Sequence, residues 1–175
     1  MFRKTPIQQN LKSKQRGVGL IEVLVSVLVL AVGLLGLAGL QTQSLRFNHE
    51  ASLRTVATIL AMDMADRLRA NRHTALTTDN YKFGLDEAAT GSSAACETAA
   101  CAGGALAQYD FAQWREAIEE QLPGGRGAVD PGVLDAAGWR EYTITLEYYG
   151  ASVDKSGADG TADPVKYTFN YRTRI

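Results

Sequence analysis

One long uncharged apolar segment limits this chain more than any other feature. From Val23 to Leu40 no residue carries a charge, and Ser26 is the only polar side chain. A run of this length is long enough to cross the hydrocarbon core of a bilayer as a single helix. One acid, Glu22, directly precedes the run, and placing a carboxylate in lipid costs about 2–3 kcal/mol on insertion scales. Such a residue is expected to have a partner or a role.

The residues before this segment indicate its orientation in a membrane. Positions 1–17 contain five basic residues and no acid. Basic flanks stay in the cytoplasm, so the rest of the chain is expected on the outer side. A secretory signal has a shorter apolar core and a small-residue cleavage site after it, and no such site follows here. The pattern fits either a plain signal anchor or a more specialised membrane helix.

The sequence GVGLIE, from Gly17 to Glu22, follows a basic leader and opens the apolar run. This combination resembles the class III signal of type IV pilins and pseudopilins. The resemblance implies cleavage between Gly17 and Val18 by prepilin peptidase, a membrane aspartyl peptidase, and then N-methylation of Val18. Family members usually begin their mature chain with Phe, where this chain has Val18. The implied fold is the α+β pilin fold, in which a long N-terminal helix packs on a small antiparallel sheet.

Glu22 is the fifth residue counted from Val18, the position at which this family carries a glutamate. The amino group released by cleavage would have a pKa of roughly 7.7–8 and would be mostly protonated. It would attract the Glu22 carboxylate strongly in a low-dielectric helix bundle. By resemblance, the glutamate contacts the amine of a neighbouring subunit and sets the register of assembly. The alternative is a pair within one helix, because Val18 and Glu22 are four residues apart.

The helix is expected to continue beyond the apolar segment, because no proline interrupts residues 18–72. Apolar residues at a three-four spacing then predict one buried stripe: Leu53, Val56, Leu60, Met64 and Leu68, with Ala57 and Ala61 between them. Arg67, Arg69 and Arg72 suit the last turn of this helix. The predicted organisation is a leader at 1–17, a transmembrane and filament-core helix at 18–40, an amphipathic continuation at 41–72 and a periplasmic globular α+β domain at 73–175.

Within the globular domain, residues 73–108 are rich in Ala, Thr, Gly and Ser and are predicted to form an irregular loop region. Asp110 is predicted to cap a helix that runs to Leu122, with Trp114 as a core residue. Alternating patterns predict strands at 139–149 and 165–174 and, on a less regular pattern, at 127–134. The tyrosines of these strands fit cross-strand packing or, alternatively, a sugar-binding face.

Cys96 and Cys101 would lie outside the cytoplasm, where disulfides persist. A bridge between them would contribute roughly 2 kcal/mol, and two free thiols are the alternative. Neither His49 nor His73 stands at metal-ligand spacing to these cysteines, so we expect no metal and no cofactor.

Other chemistry is not indicated. Without its leader the chain has 13 basic and 19 acidic residues, a net charge of −6, which argues against nucleic acid as a partner. The glycines at 124–127 lack the lysine-serine pair of a P-loop, and the acids from Asp154 to Asp163 do not follow the order of a calcium loop. We therefore expect the substrate of an enzyme rather than an enzyme.

The stretches AMDMADRLRANR and WREAIEEQLPGG add a resemblance to the PilV-like minor pilins of Gram-negative bacteria. That resemblance implies a minor pilin in type IV pilus assembly. Its partners would be other minor pilins, the major pilin, prepilin peptidase and the inner-membrane assembly platform. The protein would cross the inner membrane once, with its C-terminal domain in the periplasm, and then enter the pilus. The alternatives are a minor pseudopilin of type II secretion and a membrane-tethered periplasmic binding or adhesin domain.

Overall fold

The computed structural model describes residues 19–87, 94–154 and 163–175. The chain divides into two compact units, one ending at Gln43 and the other running from Ser44 to Ile175. The elements, in chain order, are α1 (Leu20–Ala70), α2 (Arg72–Thr77), α3 (Ala94–Thr98), α4 (Gly103–Gln121), β1 (Arg126–Leu134), β2 (Arg140–Asp154) and β3 (Asp163–Arg174).

The single long helix predicted from the absence of proline is α1, which has 51 residues. Arg67 and Arg69 lie in its last turn, where cations complement the negative end of the helix dipole. The prediction that Arg72 shares that turn was wrong. Asn71 has non-helical backbone angles (φ −104°, ψ 42°), so α1 ends before it and Arg72 opens α2.

The core of the second unit lies between α1, α4 and the sheet. The predicted stripe of α1 is largely confirmed, since Leu53, Leu60, Met64 and Leu68 are buried while Val56 is only partly buried. The other large buried side chains include Phe111, Trp114 and Ile118 of α4 and Tyr142, Ile144 and Leu146 of β2. Trp114 is fully buried, as expected of a core residue.

The sheet has three antiparallel strands in the order β1-β2-β3. All three predicted strands are present. The alternation predicted for β2 is confirmed, because every second residue from Tyr142 to Tyr148 is buried. Ile144 lies opposite Val129 on one side and Tyr171 on the other, so apolar residues of the three strands share the face towards the core.

Two local predictions in the region before the sheet were wrong. Residues 73–108 are not one loop, because they contain most of α2, all of α3 and the start of α4. Asp110 does not cap a helix: α4 begins at Gly103, after Ala102 in extended conformation, so Asp110 lies inside it. Asp110 is buried and accepts hydrogen bonds from side chains instead.

Candidate assembly and anchoring site

The predicted processing junction, Gly17 and Val18, lies outside the described residues. The first described residue, Gly19, accepts the backbone N–H of Glu22 at 2.9 Å, which begins the first turn of α1. Glu22 therefore stands in the first turn, where the helix dipole favours a negative charge. Its side chain is exposed.

In the part of the chain that the structure describes, the apolar half of α1 is exposed. Every residue from Leu20 to Leu40 is exposed. By length and composition this helix could cross a membrane, with a mean hydropathy of 2.7 in its most apolar window and none of that window buried. An apolar surface this large needs lipid or other helices to cover it.

The hydroxyl groups within and just after this half form hydrogen bonds to backbone carbonyl oxygens of α1 itself. The Ser26 hydroxyl donates to the carbonyl oxygen of Val23 at 2.8 Å, and the Thr42 hydroxyl donates to that of Ala38 at 3.0 Å. Bonds of this kind let hydroxyl groups enter an apolar environment at low cost. Glu22 differs, because its carboxylate has no hydrogen-bond partner within the described residues.

The glycines of this half leave open space on the helix surface. A Cβ atom added at Gly33, Gly36 or Gly39 would meet nothing within 4 Å. Small residues of this kind allow another helix to approach closely in a membrane.

A polar cluster fixes the C-terminal end of α1 to α4. Arg67 donates to Asp63 at 2.8 Å and to Asp110 at 3.3 Å. Tyr81 donates its hydroxyl to the other oxygen of Asp110, and Asn71 donates to the Tyr81 oxygen at 3.1 Å. We call these five residues the Asp110 cluster. It spans three segments that are far apart in sequence and leaves no buried side-chain polar atom unpaired in the described structure.

The Asp110 cluster favours the protonated forms of Arg67 and Tyr81. Burial lowers the Arg67 pKa, but hydrogen bonds and charges from Asp63 and Asp110 outweigh burial, so the pKa is raised overall. Burial and then the hydrogen bond to Asp110 raise the pKa of Tyr81 well above its ordinary value of 10.0. At neutral pH the guanidinium is therefore charged and the phenol neutral, an arrangement that suits a structural clamp.

The predicted disulfide is present: Cys96 and Cys101 are bonded, with their Cα atoms 5.1 Å apart. The bridge joins α3 to the residue preceding the Ala102 N-cap of α4. Asn71, at the end of α1, also donates to the carbonyl oxygen of Gly103 at 3.0 Å. The start of α4 is thus held from two sides.

The Asp110 cluster was not predicted from the sequence, although the sequence contains a signal for it. Asp110 stands four residues before Trp114, which stands four before Ile118, so all three share one helix face. The same spacing that predicts the apolar stripe of α4 therefore also places a carboxylate, that of Asp110, on the buried face.

Among the residues the structure describes, no group of three His, Cys, Asp or Glu side chains could hold a metal ion. Residues 155–162 of the acidic loop considered for calcium lie outside the described ranges.

Two families of known sequences match adjoining parts of the chain. Residues 12–38 match the prokaryotic N-terminal methylation motif, and residues 39–112 match the Tt1218-like family, described as type IV pilin Tt1218. Each match covers less than half of the chain, and together they support a type IV pilin. No curated protein and no solved structure matched it.

The pilin fold predicted from the resemblance is confirmed: a long, partly apolar N-terminal helix packs on a three-stranded antiparallel sheet in an α+β arrangement. The methylation motif and the apolar half of α1 together support a membrane-anchored pilin. The PilV-like resemblance is not decided by these matches and stays a prediction.

Proposed function

We propose that this pilin is a minor subunit that takes part in initiating a type IV pilus and is incorporated into the filament. One observation carries the proposal. Between Leu20 and Leu40 the exposed surface of α1 is apolar apart from Ser26, and it bears a single ionisable group, Glu22, in its first turn. When such helices pack together, the apolar surface is buried. The Glu22 carboxylate is buried with it, which is costly unless a cation pairs with it in each subunit.

The cation is the new amino group of a neighbouring subunit. In this proposal prepilin peptidase cleaves between Gly17 and Val18, and Val18 is then N-methylated, which leaves its amine protonated. The local bond of Ser26 supports this role for Glu22, since it takes the hydroxyl group one turn away out of competition for the carboxylate. Pairing between subunits would fix the axial register of one α1 against the next.

The proposed organisation follows from the same surface. The leader at 1–17 remains in the cytoplasm, the helix at 18–40 lies in the inner membrane and later in the filament core, and residues 41–72 continue it into the periplasmic domain at 73–175. The partners are other minor pilins, the major pilin and the inner-membrane assembly platform. In this role the chain is a structural subunit.

The register role is tested with Glu22→Ala in the full chain, expressed in a strain that lacks the native copy. Ser26→Ala is the matched control, because it removes a polar group one turn away that already has a partner in its own helix. We expect both variants to be processed, as shown by mature mass, and only Glu22→Ala to be missing from sheared pili. Normal incorporation of Glu22→Ala would rule out the register role.

The second candidate is a minor pseudopilin of type II secretion, because the methylation motif that matches residues 12–38 does not separate the two systems. A clean deletion strain, scored for surface pili and for secreted proteins, separates them. Lost pili with normal secretion support the pilus role. Blocked secretion with normal pili moves the chain to the pseudopilins, and no change in either favours a membrane-tethered binding domain.

A further inference from the structure

The two edges of the sheet differ in whether they could pair with a further strand. At the β1 edge, Val129 and Phe83 exchange both backbone hydrogen bonds at 2.9 Å, and Pro131 has no N–H to offer. The β1-β2 register also shifts after Pro131. Bridges, prolines and bulges of this kind are how proteins close a sheet edge to further strands. The β1 edge is therefore blocked.

The β3 edge has no such protection. Arg140 and Ile175 exchange both backbone hydrogen bonds, at 3.2 and 3.0 Å, which fixes the alternation of the antiparallel β2-β3 ladder. Odd-numbered residues of β3 therefore bond to β2, and even-numbered ones direct their N–H and C=O groups outwards. These outward residues are Lys166, Thr168, Asn170, Arg172 and Arg174. Within the described ranges, no backbone partner lies opposite them.

The face of β3 towards α1 is only partly covered. Val165, Tyr167, Phe169 and Tyr171 are all half-buried, unlike the fully covered residues of β2. Beside them lies a cleft of about 170 Å³, lined by Glu50, Arg54, Tyr148, Tyr167, Thr168 and Phe169. A cavity of roughly 150 Å³ is known to admit benzene, so this cleft has the volume for one side chain.

The other face of β3 is cationic. From Pro164 to Arg174 the strand contains Lys166, Arg172 and Arg174 and no acid. Lys166 pairs with Glu147, and Arg174 pairs with Asp135 at 2.9 Å. Arg172 lies opposite Thr143 and has no acidic partner in the part of the chain that the structure describes. A new strand beside β3 would meet this charge directly.

We propose that β3 accepts an extended segment of another protein as a fourth strand, with acidic residues alternating with apolar ones. Residues directly opposite in a ladder share a face, so acids opposite Arg172 and Arg174 would complement their charge. The alternate apolar residues would cover Tyr167, Phe169 and Tyr171. Affinity comes from hydrogen bonds to the outward backbone groups of β3. Selectivity comes from the side chains on its cationic face and on its apolar face.

A second copy of this chain fits the edge poorly. Pairing β3 with β3 brings together three cations from each strand and only one acid, Asp163, at its first position, and like charges on facing strands are destabilising. This inference concerns the globular unit and extends beyond the proposed role in assembly, since it does not depend on Glu22 or on processing.

The test uses the full chain in detergent and two synthetic fluorescent peptides. In one peptide Glu and Thr alternate with Val and Leu, and in the other Lys replaces each Glu. We expect fluorescence anisotropy to show binding of the Glu peptide and weak or no binding of the Lys peptide. Hydrogen exchange should slow at the amides of Thr168, Asn170 and Arg172. Absence of binding, or protection elsewhere, would overturn the proposal.

Two variants make the test specific. Asn170→Pro removes one outward N–H without touching the β2 ladder, and Asn170→Ala loses the same side-chain bond to Thr145 but keeps that N–H. We expect the first to weaken binding by about tenfold or more, and the second to bind normally. Arg172→Glu should reverse the preference towards the Lys peptide.

Equal binding of the Glu peptide to Asn170→Pro and to the parent would overturn the proposal, as would an unchanged preference in Arg172→Glu. Protection of the even-numbered amides without peptide, together with a dimer in analytical ultracentrifugation, would show that a second copy occupies the edge and would also overturn it.

Discussion

Trp114 donates its indole N–H to the backbone carbonyl oxygen of Leu60 at 2.8 Å. The bond joins the middle of α4 to α1 across the core, and both residues are buried. Apolar attraction is non-directional, whereas a hydrogen bond between fixed atoms specifies one position of α4 along α1. Trp114 thus sets the place of α4 as well as filling space.

Trp114→Phe is expected to lower the free energy of unfolding by about 2 kcal/mol, because it removes this bond and leaves a space in a packed core. Urea unfolding of the full chain in detergent, followed by circular dichroism, measures the change. Trp139→Phe is the matched control, since Trp139 is 43% exposed, and it should change stability by less than about 0.5 kcal/mol. Equal effects would contradict the special position of Trp114.

The Trp114 ring packs so closely against Gly127 that this position has no room for a side chain. A Cβ atom at Gly127 would lie 2.5 Å from two carbons of that ring and 2.7 Å from Ile118. Gly127→Ala should therefore destabilise the globular unit by about 1–3 kcal/mol through overpacking. In Gly84→Ala, the control, the new methyl group has its nearest neighbour at 3.9 Å. A neutral Gly127→Ala variant, measured by the same urea unfolding, would mean that the ring can shift.

Asp110→Asn tests the Asp110 cluster. The variant keeps the shape of the side chain but removes the charge that faces Arg67 and one acceptor for the Tyr81 hydroxyl, so we expect a loss of about 2–3 kcal/mol. Asp66→Asn is the control, because Asp66 also pairs with an arginine, Arg69 at 2.7 Å, but its side chain is 74% exposed. That variant should change stability by less than about 0.5 kcal/mol. A thermal melt of each variant in the same detergent gives the ranking.

The elements of this fold could be predicted where a local repeat encodes them. The three-four spacing of Leu53, Leu60 and Met64 and the alternation of Tyr142 and Ile144 each state which face is buried, and each was read correctly. The long apolar helix and the place of Glu22 in its first turn were equally accessible, because charge and hydropathy are properties of the sequence itself.

What could not be predicted depends on residues distant in sequence. Arg67 and Asp110 are 43 positions apart, and nothing local announces that they meet. Asp110 precedes an apolar run, so the sequence predicted it as a helix N-cap. In the structure it lies inside α4, where it is buried and bonded to residues distant in sequence. Alternation likewise predicted β3 as a strand but not as an open edge, because strand order is decided by how the whole sheet packs.

Tyr81 gives the globular unit a predictable loss of stability at alkaline pH. Its pKa is raised in the folded state by burial and by the hydrogen bond to Asp110, whereas an unfolded tyrosine titrates near 10.0. Below that pH both states are protonated and the contribution is fully present; above it the unfolded state loses its proton first, so stability falls as pH rises. Thermal unfolding across this range should show a shallower alkaline decline in Tyr81→Phe than in the parent, together with a smaller stability at neutral pH from the lost hydrogen bond. Buried Tyr142, whose pKa is also raised, keeps part of the decline in that variant. An unchanged slope in Tyr81→Phe would show that Tyr81 is not the group responsible.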